Sequence, residues 1–225
     1  IQGPRAEEIL QQLTPEDLAD IPYYCCRRGQ IAGAEAIISR TGYTGEDGFE
    51  LYVPTKYAER SWNQILAVGN LLGIQPVGLG SRDTLRLEMG YVLYGHDISQ
   101  ETTPLEAGLG WLVKWDKGEF IGRESLLRQK EEGLKRKLVG LEMKEGGILR
   151  RGHSLWSADR KVGEVTSGNL SPSLGKSIGL GYVVVEQAST GTPLEVEIRN
   201  KRAWAEVVPF PFYSSRAKRK TGAMI

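Results

Sequence analysis

The sequence predicts an α+β protein in two parts: an antiparallel sheet with flanking helices, then a small all-β barrel or jelly roll. Helical periods and short apolar runs alternate over the first part of the chain. From Leu138 onward five short alternating runs recur, punctuated by Gly, Ser and Pro. Between the two patterns, Gln129 to Lys137 is dense in charge and reads as a linker. The boundary is therefore drawn at 1–130 and 131–225. The 28 glycines exceed the usual share of about 7% and cluster where polar and apolar residues alternate. Twisted, bulged sheets with tight turns have that composition.

Gly3-Pro4 opens a helix with Ile9, Leu10 and Leu13 as its apolar side. Thr14-Pro15-Glu16-Asp17 begins a second helical turn, with Thr14 as its cap. Ala36 to Arg40 and Phe49 to Val53 read as strands, joined by the turn-dense run Thr41 to Gly48. That run has no Lys-Ser/Thr ending and is not a phosphate loop. A long amphipathic helix covers Thr55 to about Leu72, with Trp62, Ile65, Leu66 and Gly69 at helical spacing and Gly73 as its stop. Gly80 to Gly90 is another helix, and an irregular segment runs from Gly95 to Gly108. Glu106 to Trp115 reads as a strand, and Arg123 to Lys130 as a short helix. The barrel strands are Leu138–Met143, Val162–Ser167, Ile178–Val185, Leu194–Arg199 and Trp204–Val208.

Composition excludes several classes. The 29 basic and 28 acidic residues leave a formal charge of +1, so no general grip on nucleic acid is indicated. No apolar run approaches the roughly 20 residues of a membrane helix. His96 and His153 lie far apart without ligand spacing, so no metal site is indicated. Cys25 and Cys26 are adjacent, poorly placed to share a disulfide, and read as inert thiols in a reducing compartment.

The informative segment is residues 39–52. Glu50 alternates with apolar residues, after Glu46, Asp47 and the loop residue Tyr43. A carboxylate leaving a strand can accept two hydrogen bonds from a flat heterocycle, or can simply face solvent. Arg82 and Arg86 lie four apart on one helix face. They suit a carboxylate-bearing ligand, or surface pairing with Asp83 or Glu88. Tyr91 and Tyr94 could stack on a ring or fill core. His96 beside Asp97 has the residue types of a general-base pair, though sequence neighbours seldom face each other. Arg216, Lys218, Arg219 and Lys220 form a solvated tail or steer an anion. These residues by themselves indicate a two-part protein with a groove for an anionic ligand.

The run from Ser39 through Thr41-Gly42-Tyr43-Thr44-Gly45-Glu46-Asp47-Gly48 to Glu50 closely resembles the signature of the glycine cleavage T-protein (aminomethyltransferase) family. Gly80 to Glu88, Leu93 to Ile98, Thr102 to Leu109, Gly163 to Gly168 and Ser171 to Leu174 resemble further blocks of that family, in the same order. The resemblance covers nearly the whole chain and implies the folate-binding T-protein fold, incomplete, ahead of the barrel. It implies a transferase that takes the aminomethyl group on the lipoyl arm of the H-protein, passes its methylene to tetrahydrofolate and releases ammonia. By resemblance, Glu50 holds the pterin, Tyr43 lines its pocket, and Arg82 and Tyr91 contact the folate or its glutamate end. Arg216 is the nearest match to a C-terminal arginine with that role. The family's essential aspartate is expected upstream of Ile1, so no catalytic residue is assigned here, and Asp47, Asp83 and Asp97 do not inherit that role. The resemblance therefore casts the chain as a C-terminal portion, with little activity alone, of a bacterial cytoplasmic enzyme. The alternative is a folate-binding module without catalysis.

Overall fold

In the computed structural model, which describes residues 1–217, the chain divides into two units inside a helix. One unit comprises residues 1–85 with the segment 214–217; the other is Arg86–Tyr213.

The first unit is built on a hairpin. Strands β1 (Cys26–Ile31) and β2 (Ala34–Ser39) pair antiparallel across a two-residue turn, with Ile31 opposite Ala34. Ala32 and Gly33 both have positive φ, the backbone that matches strand twist in a tight hairpin. Strand β3 (Glu50–Tyr52) adds to β2, giving the order β1-β2-β3. One sheet face carries Ile31, Ala36 and Ile38 into a core with Leu10, Leu18, Ile21 and Phe49. Helix α1 (Ala6–Gln11) supplies Leu10, and α2 (Ala58–Gly69) packs Ile65 against the same cluster. The other face carries Ile37 and Tyr52, both exposed, and half-buried Glu50. Gly73 ends the α2 region in the left-handed conformation, as its position predicts.

The unit boundary falls within α3 (Leu79–Glu88). The second unit then contains a turn-rich stretch, α4 (Arg123–Glu132) and a closed six-stranded barrel. Its strands are β4 (Arg136–Met143), β5 (Ser154–Ser157), β6 (Arg160–Ser171), β7 (Lys176–Val184), β8 (Pro193–Ile198) and β9 (Lys201–Val208). Their order is β4-β7-β6-β5-β8-β9, and β9 returns to β4, so no edge is left open. Leu141, Leu149, Leu155, Val165, Leu194 and Val196 fill the interior. A second cluster packs Leu87 at the end of α3 with Leu138, Leu180, Phe210 and Phe212. The sequence boundary at 130 falls inside this unit, just ahead of β4.

Several local expectations change. The helical turn after Thr14 is Leu18–Asp20, and its cap is Asp17, whose carboxylate accepts from Ala19 N–H at 3.0 Å. Trp62 lies outside the buried face of α2, which is Ser61 and Gly69. Glu106 to Trp115 is not a strand. Glu106 turns inward to accept from Thr103 and Arg136, Gly108 takes positive φ, and two short helical turns follow. Strands β1 and β5 had no apolar alternation strong enough to announce them. Lys218, Arg219 and Lys220 lie outside the described residues.

Candidate functional site

The loop 41–48 leaves β2 and returns as β3, and a buried charge ties its two ends. Arg40 is 3% exposed. Its Nε donates to Asp47 Oδ1 at 3.0 Å and its Nη2 to Oδ2 at 2.7 Å. Nη2 also donates to Glu7, and Nη1 to the carbonyls of Leu18 and Ile21. Its guanidinium lies 5.1 Å over the Phe49 ring. Burial alone would weaken this charge; Asp47 and Glu7 outweigh it and hold the guanidinium above its ordinary pKa. The pair is therefore a clasp whose carboxylate is already satisfied.

A second tie comes from Gln2. Its side-chain amide donates to Thr41 O at 3.0 Å and accepts from Thr44 Oγ1 at 2.9 Å. This side chain fills the space where a Cβ on Gly42 or Gly48 would sit, which explains two of the loop's glycines. Neither Gln2 nor Arg40 stood out in the sequence, because each acts through partners remote along the chain.

The clasped loop gathers four of the five expected ligand residues. Arg82, one turn into α3 and exposed, lays its guanidinium 4.8 Å over the Tyr43 ring. Glu50 stands opposite Ser39 in the register and accepts from the Thr41 hydroxyl. Arg216 donates its backbone N–H to Gly45 O at 2.8 Å, and Ser215 Oγ donates to the same carbonyl at 3.1 Å. Glu46 buries one carboxylate oxygen with no hydrogen-bond partner among the described residues. The loop thus presents an aromatic ring, a cation and an acceptor carboxylate, a set suited to a flat heterocycle that also bears carboxylates.

Comparison with known proteins identifies the family. Residues 1–117 match the GCVT N-terminal domain, and residues 136–214 match the glycine cleavage T-protein C-terminal barrel domain. The chain belongs to the glycine cleavage T-protein family. An aminomethyltransferase of Thermoanaerobacter sp. (strain X514) is 52% identical over 220 residues, covering 97% of this chain and 60% of that protein. One from Desulforamulus reducens is 51% identical over 213 residues, 95% of this chain and 58% of that protein. The crystal structure of glycine cleavage system aminomethyltransferase T from Bartonella henselae aligns with TM-score 0.88 at 33% identity. It covers 96% of this chain and 59% of that one. The chain thus spans about three fifths of the length of the curated relatives it matches.

Set on this T-protein framework, the remaining expected residues separate. Tyr91 belongs to the second unit, half-buried just past α3. Arg86 does not lie on a surface. It is 1% exposed, and its Nη1 donates to Asp97 Oδ2 at 2.6 Å. Asp97 is therefore no partner of His96, which is exposed. Arg82 and Arg86 share a helix but not an environment. Glu88 is buried too, accepting from Ser171 Oγ at 2.5 Å and Ser173 Oγ at 2.9 Å, which absorbs the Ser171-Pro172-Ser173 block into packing. Cys25 and Cys26 are both free and exposed. No helix among the described residues is long and apolar enough to cross a membrane.

Proposed function

We propose that this chain supplies the folate-binding loop and the barrel of an aminomethyltransferase of the glycine cleavage system. In the whole protein, the aminomethyl group borne on the lipoyl sulfur of the H-protein loses its C–S and C–N bonds. Its carbon is taken by N5 and N10 of tetrahydrofolate. The two folate N–H protons leave with the departing ammonia and thiol, so the step needs no oxidant. Proximity of carrier and acceptor supplies most of the acceleration.

The observation that supports this reading most is the loop 41–48, which collects Tyr43, Glu50, Arg82 and the Arg216 main chain. Glu50 is assigned to the pterin, as the carboxylate that accepts from its N–H edge. Tyr43 lines the pterin, and Arg82, Tyr91 and Arg216 serve the folate and its glutamate carboxylates. Asp47 and Asp97 are excluded from proton transfer because buried arginines already neutralise them. The lipoylated H-protein is the proposed macromolecular partner, and the bacterial cytoplasm the proposed location; neither nucleic acid nor a membrane is part of this reading.

Glu50→Gln tests it. A hydrogen bond to a charged acceptor is worth about 1.5–3 kcal/mol, so tetrahydrofolate affinity is expected to fall roughly ten- to a hundredfold with the thermal midpoint unchanged. Equal affinity for wild type and variant sinks the assignment. Ammonia release from aminomethylated H-protein, with and without tetrahydrofolate, then separates transferase from binding module. Folate-dependent release by the longest form the gene encodes supports the transferase; tight folate binding without release supports the module. The 225-residue chain alone is expected to turn over slowly or not at all.

A further inference from the structure

Arg86 and Asp97 are the most deeply buried charges of the second unit, and the proposed reaction uses neither. Their side chains are 1% and 0% exposed. Their bonds converge on one short segment. Arg86 Nη1 donates to the Tyr91 carbonyl at 3.0 Å as well as to Asp97. Asp97 Oδ2 accepts from the Leu93 N–H at 2.9 Å, and the Tyr91 N–H donates to the Arg86 carbonyl at 2.9 Å. The ion pair therefore holds the Tyr91 carbonyl and the Leu93 N–H, while the Arg86 main chain holds the Tyr91 N–H. The barrel fixes the pair in turn. Ser167 Oγ accepts from Arg86 Nη2 at 2.7 Å, and Thr166 Oγ1 donates to Asp97 Oδ1 at 2.6 Å. Consecutive residues of a regular strand point to opposite faces. Here the register slips between Val165 and Ser167, and that bulge lets Thr166 and Ser167 both reach the pair. A bulge that re-aims two neighbouring hydroxyls onto one buried ion pair is a device for placement.

We propose that Arg86 and Asp97, set by the Thr166–Ser167 bulge, are positioning residues that hold the 91–93 segment so that the Tyr91 ring meets the reduced folate. This rests on the proposed folate contact of Tyr91 and adds what fixes it. Burying two charges is an expensive way to brace a segment that a few apolar side chains could brace. What the ion pair adds is direction: hydrogen bonds have preferred angles and lengths, so the segment is held in one conformation.

A double-mutant cycle on the longest form the gene encodes tests it, read as the Kd of 5-formyl-tetrahydrofolate, a stable reduced folate. Asp97→Asn keeps volume and removes the charge. Its Kd is expected to rise about three- to tenfold, Tyr91→Ala to raise it at least as much, and the double variant no further than Tyr91→Ala. Where Asp97→Asn does not fold, Ser167→Ala replaces it in the cycle; it withdraws one bond from Arg86 and leaves the ion pair. Folding alone cannot give this pattern, because a general loss of structure multiplies with Tyr91→Ala instead of vanishing behind it. Multiplying effects overturn the proposal and leave folate binding by Tyr91 intact. An unchanged Kd in Tyr91→Ala, with Glu50→Gln still weakening binding, removes Tyr91 from the site and the proposal with it.

Discussion

Arg40 in the first unit and Arg86 in the second are both almost fully buried, each against an aspartate. Arg40 meets Asp47 seven residues along and closes a loop on itself, leaving Tyr43 and Glu50 on the outside of the clasp. Arg86 meets Asp97, then Ser167 eighty-one residues away, and fastens a helix end to a barrel. Arg40 has spare partners in Glu7 and two backbone carbonyls. Arg86 also donates to the Ser167 hydroxyl and the Tyr91 carbonyl. A local clasp with redundant acceptors shapes a surface; a non-local staple holds elements remote in the chain in place. The difference teaches that a buried ion pair is defined by what it connects and by what remains when one partner is lost.

The largest expected effect comes from stranding Arg86. Asp97→Ala should cost about 3–5 kcal/mol, read by urea denaturation of the second unit's transition, because it takes away the buried carboxylate that faces this buried cation. Asp47→Ala should cost less, about 1–3 kcal/mol, since Glu7 still faces Arg40. Equal losses break the contrast. Arg82→Ala sharpens it from the exposed side of the same helix. Removing the guanidinium from the Tyr43 ring should cost only about 0.5–1 kcal/mol, while tetrahydrofolate affinity falls. An unchanged affinity would make Arg82 a surface residue and nothing more.

Acidification should give the smallest effect, and it is expected in the second unit. Burial, with Arg150 nearby, holds His153 below its ordinary value of 6.5, and its Nδ1 accepts from Arg150 N–H, which only the unprotonated nitrogen can do. The unfolded chain therefore takes up the proton first. That stability is present above pH 6.5 and lost as pH falls from there through the folded value. Glu106 acts in a lower window. Burial pushes its carboxyl up, but Thr103 and Arg136 outweigh burial and leave it below its ordinary 4.5. Its contribution is lost as pH falls from 4.5 through that lowered value. Thermal midpoints between pH 8 and 5 should drop slightly in wild type and less in His153→Asn. Partial exposure limits the difference to about a few tenths of a kcal/mol. A steeper slope in the variant reverses the sign of this assignment.

Much of the fold was legible. The Gly-Ser-Pro punctuation after Leu138 announced five of the six barrel strands, because alternation along a strand is a local signal. Strand β5 was not legible: Ser154–Ser157 is four residues long, and its bulged pairing with β6 is set by its neighbours. Strand β1, with two arginines, a glycine and a glutamine, becomes a strand because β2 offers it a partner. The apparent strand from Glu106 failed because its carboxylate is spent on a turn and on Arg136. At the site, the loop run and Glu50 were visible as residues. That Arg82 stacks on Tyr43, and that Arg216 docks its backbone on Gly45, was not.

By itself the sequence determined the two-part α+β organisation, the near-neutral charge, the glycine-rich loop and the family, all properties that depend on composition or on residues close in the chain. Only the tertiary structure decided which of two arginines one helical turn apart faces outward and which is entombed. Spacing puts Arg82 and Arg86 on one helix face, and nothing within the helix distinguishes them. The difference arises because Asp97, Thr166 and Ser167 surround one of them, and those partners are brought together only when the barrel closes.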